Sequence, residues 1–116
     1  MSLDAFLEKL NTSPEVVTFD EAIAIIDESY TFSDTAFLNG DTQNEAGQNN
    51  GSCKIFAFGD VNKLTKDQTL HCFGDYYRKD VLGNPDADDH QNIRNFIKQG
   101  WPGIRFEGEA LVLRKR

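Results

Sequence analysis

The sequence predicts an α+β fold: a mostly helical single domain over residues 1–116, with about five short helices and a small antiparallel β-sheet. Three observations lead there. Apolar residues recur at helical spacing in several short stretches, two of them opened by Thr-x-x-Glu or Thr-x-x-Gln capping signals. Strand-like alternation is confined to the middle and the C-terminal end of the chain. Nine Phe, three Tyr and one Trp in 116 residues are enough for one core, and the chain is too short for two.

Ser2 is placed to cap a first helix in which Leu3, Phe6, Leu7 and Leu10 share a face, and the run 11–14 breaks it at Pro14. Thr18 and Glu21 form a capping box ahead of Ala22, Ile23, Ile25 and Ile26, which predicts a helix over 19–29. A short strand is expected at 35–38, before the turn-forming Asn39-Gly40. A polar loop then fills 41–52. The apolar cluster Ile55, Phe56 and Phe58 is too short to separate strand from helix by period; a helix over 52–62 is favoured, with Gly59 its weak point. Thr65 and Gln68 open a helix whose Leu70, Phe73, Tyr77 and Val81 lie on one face until Gly83 and Pro85 stop it. The acidic run 86–90 offers several N-caps for a further helix with Ile93, Phe96 and Ile97 on its core face and Gly100 at its end. Trp101-Pro102-Gly103 is a turn, with Trp101 closing the core. Finally Ile104/Phe106 and Leu111/Leu113 alternate on either side of Gly108-Glu109, a C-terminal hairpin signal.

A net charge of −7 argues against a nucleic-acid groove or an anionic membrane surface, both of which need clustered Lys and Arg. The one basic cluster, Arg114-Lys-Arg116, is at the extreme C-terminus, where a frayed tail accounts for it. No stretch approaches the ~18 apolar residues of a membrane span, and the N-terminus lacks the basic and continuous apolar regions of a Sec signal. Cys53 and Cys72 have no C-x-x-C spacing, so reduced thiols in a cytoplasmic monomer are the default expectation, with no cofactor.

Candidate chemistry gathers at Asn44-Glu-Ala-Gly-Gln-Asn-Asn-Gly-Ser-Cys-Lys54. Asn44, Gln48, Asn49, Asn50 and Ser52 both donate and accept hydrogen bonds, and Gly47 and Gly51 let backbone amides converge. Such a loop can cradle a polar ligand, although Asn and Gly also build plain turns. If a helix starts at Ser52, its free N–H groups and Lys54 would favour a thiolate at Cys53.

Together with Cys72-Phe-Gly-Asp-Tyr-Tyr-Arg-Lys-Asp-Val81, Asp89-His-Gln-Asn-Ile-Arg-Asn-Phe96 and Gly100-Trp101, this string resembles the HopJ type III effector family over essentially the whole chain. The resemblance implies a small protein of the kind that plant pathogens deliver into host cells by type III secretion, though similar proteins occur in free-living bacteria. It implies no catalytic or binding residue position by position. Type III delivery signals are polar, Ser-rich and poorly ordered, whereas this N-terminus reads as a helix, so a resident cytoplasmic role is the alternative to secretion.

Three chemistries fit the residues. A thiol hydrolase or transferase would use Cys53 as nucleophile, His90 as base and Asp89 or Asn49 to orient it. A metal site would draw on His71, His90, Asp86, Asp88 and Asp89, but no ligand spacing supports one. A binding module would use the polar loop with Tyr76, Arg78, Asn92 and Arg94 to hold a small polar ligand or a protein partner. Against the last, both arginines can pair with the neighbouring Asp75, Asp80 or Asp89. Tyr76 and Tyr77 point to different sides of a helix, so only one belongs to the core.

Overall fold

Helix starts follow the capping signals. In the computed structural model, which describes residues 2–114, Ser2 Oγ accepts from the Ala5 amide and opens α1 (Leu3–Thr12). The Thr18 and Glu21 box opens α2 (Phe19–Ser29). Three short strands come next: β1 (Tyr30–Phe32), β2 (Phe37–Asn39) and β3 (Thr42–Asn44). They lead into α3 (Asn50–Val61), and the Thr65 and Gln68 box then opens α4 (Lys66–His71). A π-helix (Tyr76–Val81), α5 (Gln91–Gln99), β4 (Ile104–Phe106) and β5 (Leu111–Leu113) complete the order. The architecture is α+β with small antiparallel sheets, as the sequence predicts.

Helix α3 is the axis of the core. Cys53 and the consecutive residues Ile55, Phe56, Ala57, Phe58 and Gly59 are all buried. A helix covered on nearly every side shows no amphipathic period, which is why the sequence left it ambiguous. Phe56 meets Phe96, Phe73 and Phe37 at ring-centroid distances of 4.9, 5.4 and 6.0 Å. Gly59 is a close approach rather than a weak point: a Cβ there would sit 2.8 Å from Thr69 Oγ1 and 2.9 Å from the Trp101 ring. Trp101 itself bonds the Leu64 carbonyl at 3.0 Å and packs edge-on against Phe96.

Two expectations need correction. The C-terminal strands do not form a hairpin with each other: β4 pairs with β2 and β5 with β1. Their partners run past in an unbroken antiparallel register. Tyr30 faces Leu113, Ser33 N–H bonds Ala110 O, Glu107 N–H bonds Ala36 O, and Phe37 faces Phe106. Alternation identifies strands but not their partners, and the long pairing with 30–39 satisfies more backbone than a three-residue hairpin would. Among the described residues the only hairpin is β2–β3, turning on Gly40 at φ +60°.

The helix expected to run from Thr65 to Gly83 is in two pieces. Gly74, at φ +61°, breaks it, and a Cβ there would sit 2.6 Å from the Phe19 amide nitrogen. The shared face survives, with Leu70, Phe73, Tyr77 and Val81 all buried. Of the basic cluster, Lys115 and Arg116 lie outside the described residues; Arg114 donates to the Asp27 carbonyl. Among the described residues no helix is long and apolar enough to cross a membrane.

Candidate functional site

The first turns of α3 and α5 open onto one hollow of about 500 Å³. Asn49, Gly51 and Ser52 line it from one helix, and His90, Gln91, Asn92 and Ile93 from the other; Phe19, Phe73, Tyr76 and Thr42 form the walls between. Neither helix is capped by a side chain. The residues ahead of them, Asn49 (φ 52°, ψ 47°) and His90 (φ 49°, ψ 48°), both take left-handed backbone. The acidic run 86–90 therefore does not cap α5 as the sequence suggested, and α3 starts at Asn50 rather than Ser52.

The first amides satisfied within these helices are Cys53 N–H, to Asn49 O at 2.9 Å, and Arg94 N–H, to His90 O at 3.1 Å. Ahead of them, the N–H groups of Asn50, Gly51 and Ser52 and of Gln91, Asn92 and Ile93 have no protein acceptor among the described residues. The capped helices α1, α2 and α4 each carry acidic residues in the first turn, while α3 and α5 carry none. Two positive helix ends thus meet at one hollow with no acidic residue in either first turn.

A buried ladder of asparagines holds the two ends in place. Asn92 Oδ1 accepts from Asn39 and Asn44 at 3.0 and 3.2 Å, and Asn44 Oδ1 accepts from Asn92 and Asn49 at 3.0 and 2.8 Å. Asn39 also donates to the Asn92 carbonyl at 2.8 Å, and Asn95 ties Thr42 Oγ1 at 2.7 Å. Asn44 and Asn39 are almost wholly buried, so β2 and β3 clamp the α5 start to the α3 start through side-chain amides.

His90 stands at the rim. Its Nε2 lies 3.2 Å from Asp80 Oδ2 and 4.0 Å from Asp89 Oδ2, and its ring packs on Tyr76 at 5.3 Å between centroids. Asp89 is engaged chiefly elsewhere, accepting from Arg94 NH2 at 2.7 Å; that bond holds its carboxyl below the usual carboxylate range. Of the two adjacent tyrosines, Tyr77 is core and Tyr76 lines the hollow.

Other sequence candidates are placed away from the hollow. Arg94 is tied to Asp89 and to the Asn84 carbonyl, and Arg78 to the carbonyls of Pro14, Val17 and His71 and to His71 Nδ1. Both arginines staple backbone. Gln48 caps the Glu45 amide at 2.9 Å, Asn50 occupies the first position of α3 outside the hollow's lining, and Asn44 acts from beneath through its ladder. No group of three or more His, Cys, Asp or Glu is placed to hold a metal among the described residues.

Cys53 does not line the hollow. The thiol is buried, donates to the Thr35 carbonyl at 3.6 Å, and is pushed up to about 11, first by burial and further by the Asp34 carboxylate. Lys54, expected to favour a thiolate, pairs instead with Asp27 at 2.8 Å and lies over the Phe32 ring. The structure therefore brings Asn49, Ser52, Tyr76, His90 and Asn92 together and leaves the thiol outside. Sequence reasoning missed Asn39, Asn95, Gln91 and the Asp80 partner of His90. One signal was there to read: neither α3 nor α5 begins with a capping box, unlike α2 and α4.

A family model described as HopJ type III effector protein matches residues 3–111. Among solved structures, the crystal structure of the unknown function protein VPA0580 is 54% identical, with a TM-score of 0.97, covering 98% of this chain and 95% of that one. No curated protein matches the chain.

Proposed function

The chain belongs to the HopJ type III effector family, and from that premise we propose that it is an effector-type binding protein whose α3/α5 cleft holds a small ligand by its carboxylate or phosphate. One observation carries the reading: two uncapped, acid-free helix starts present five unpaired amides, those of Gly51, Ser52, Gln91, Asn92 and Ile93, to the same hollow. Oriented amides and dipole ends of this kind favour an anion. The walls suit the remainder of a small molecule, since Phe19, Phe73, Tyr76 and Ile93 are apolar while Ser52 and His90 add polar contacts. No lysine or arginine lines the cleft, so affinity rests on neutral donors. A few charge-assisted hydrogen bonds, less the cost of association, leave a Kd on the order of 1 mM for a bare anion. A host cell is the setting we propose for this binding, following the family's description.

The reading is tested by titrating ¹⁵N-labelled protein with acetate and with inorganic phosphate. The amide signals of Gly51, Ser52, Gln91, Asn92 and Ile93 should move together and saturate, while those of α1 and β5 stay still. Shifts scattered over the surface, or none at the two helix starts, would refute it.

A further inference from the structure

The geometry points to a hydrolytic activity in this cleft: His90, positioned by Asp80, acts as general base for attack of water on a small carboxylic ester, with amide groups at the α3 start holding the carbonyl oxygen. The inference rests on the cleft being a ligand site, as proposed above, and adds chemistry to it. A base needs an orienting partner, and Asp80 Oδ2 stands 3.2 Å from His90 Nε2. In the tautomer that donates to this carboxylate, the ring proton is on Nε2 and the lone-pair nitrogen is Nδ1, which has no partner among the described residues. The ring borders the hollow and is fixed from a second side by Tyr76, at 5.3 Å. Its backbone is in the left-handed region, at φ 49°, which a non-glycine residue keeps only where the surroundings hold it. The other charged group near the ring, Asp89, is 4.0 Å away and engaged by Arg94, so Asp80 is the carboxylate that orients.

The step balances without any group beyond water and the ester. Nδ1 removes a proton from water as the water oxygen bonds to the acyl carbon, and the carbonyl electron pair moves onto oxygen. Neutral amide donors suit the single negative charge that develops there. The oxyanion then re-forms the carbonyl, the bond to the leaving oxygen breaks, and His90 returns its proton to the departing alcohol. The acid product gives its proton to solvent water and leaves as a carboxylate, the group the cleft is proposed to bind.

The test uses hydrolysis of p-nitrophenyl acetate by the intact protein, with an equal concentration of free imidazole as reference. General-base catalysis contributes roughly 10²–10⁴-fold, so at least about 100-fold above imidazole is expected, rising with pH to a plateau. His90→Asn, chosen because Asn tolerates left-handed backbone, should fall to the imidazole level with its melting temperature kept. Asp80→Asn should lose about tenfold and shift the pH profile, as a positioning residue would, while Cys53→Ala should change neither. A wild-type rate no faster than imidazole, or an unchanged rate in folded His90→Asn, overturns the inference. Acetate titration of the same samples separates the two readings: acetate that binds without turnover sinks the hydrolase and leaves the binding cleft, whereas no acetate shift at Gly51 and Gln91 sinks both.

Discussion

At the scale of single residues, burial decides what each functional group can do. Cys53 has the right element for reactivity and the wrong environment: burial raises its thiol, like that of Cys72, from the ordinary 9.0, to about 11 for Cys53 and about 12 for Cys72. A group whose folded value is raised stabilises the fold fully below its unfolded value and loses that contribution as pH climbs toward the folded one. The window is therefore pH 9 upward. For Cys53, at ~1.4 kcal/mol per unit, the loss is of order 2 kcal/mol by pH 11. We expect the stability advantage of wild type over Cys53→Ala, measured by urea unfolding, to shrink by that amount between pH 8 and 11; a difference that ignores pH would mean the thiol is not shielded. The sequence showed Cys53 beside Lys54 and an oncoming helix, but it could not show that Lys54 turns to Asp27 or that the helix starts early enough to bury the thiol. Arg78 and Arg94 teach the same point, because a guanidinium reads alike whether it faces a ligand or, as each of these does, three backbone carbonyls.

At the scale of elements, local signals were legible wherever local chemistry sets the boundary. Capping at Ser2, Thr18 and Thr65 fixed three helix starts because each satisfies backbone N–H groups within four residues. What was illegible depended on distant partners. Strand alternation at 104–113 could not reveal a pairing with 30–39, and the unbroken spacing of Leu70, Phe73, Tyr77 and Val81 concealed the break at Gly74. That break matters to the cleft. Gly74 lets the chain pass against the Phe19 amide, and the π-helix after it delivers Tyr76 and Asp80 to His90. Gly74→Ala meets both a left-handed backbone and a 2.6 Å contact with backbone, so it should cost at least about 2 kcal/mol and displace Tyr76. Gly108→Ala, whose Cβ would find only Thr35 Cγ2 at 3.8 Å, should stay within about 0.5 kcal/mol. Equal melting temperatures for the two variants would show that the π-helix is not anchored through this contact.

At the scale of the whole molecule, the cleft proposed to hold an anion is set in a negative protein. The chain carries a net charge of −7, and Asp20, Asp75 and Asp80 line a second hollow that shares Phe19 and Tyr76 with the first. Composition gave the overall sign and with it the expectation against a nucleic-acid partner, but it could not give the local sign. The local field comes from backbone dipoles at Asn50–Val61 and Gln91–Gln99, which residue counting does not register. The two scales predict an unusual salt response. Repulsion from scattered surface carboxylates acts over tens of ångströms at 0.01 M salt, where the Debye length is roughly 30 Å, and is largely screened at 0.15 M, where it is about 8 Å. Hydrogen bonds from the helix starts act at contact and survive that screening. Acetate should therefore bind the cleft more tightly as ionic strength rises from 0.01 to 0.15 M, with sodium perchlorate and sodium fluoride compared as background to expose competition by the salt anion itself. A basic patch would give the opposite slope, since each added ion weakens attraction to lysine and arginine. An apparent affinity that falls with both salts would place the anion on side-chain charge rather than on the paired helix starts.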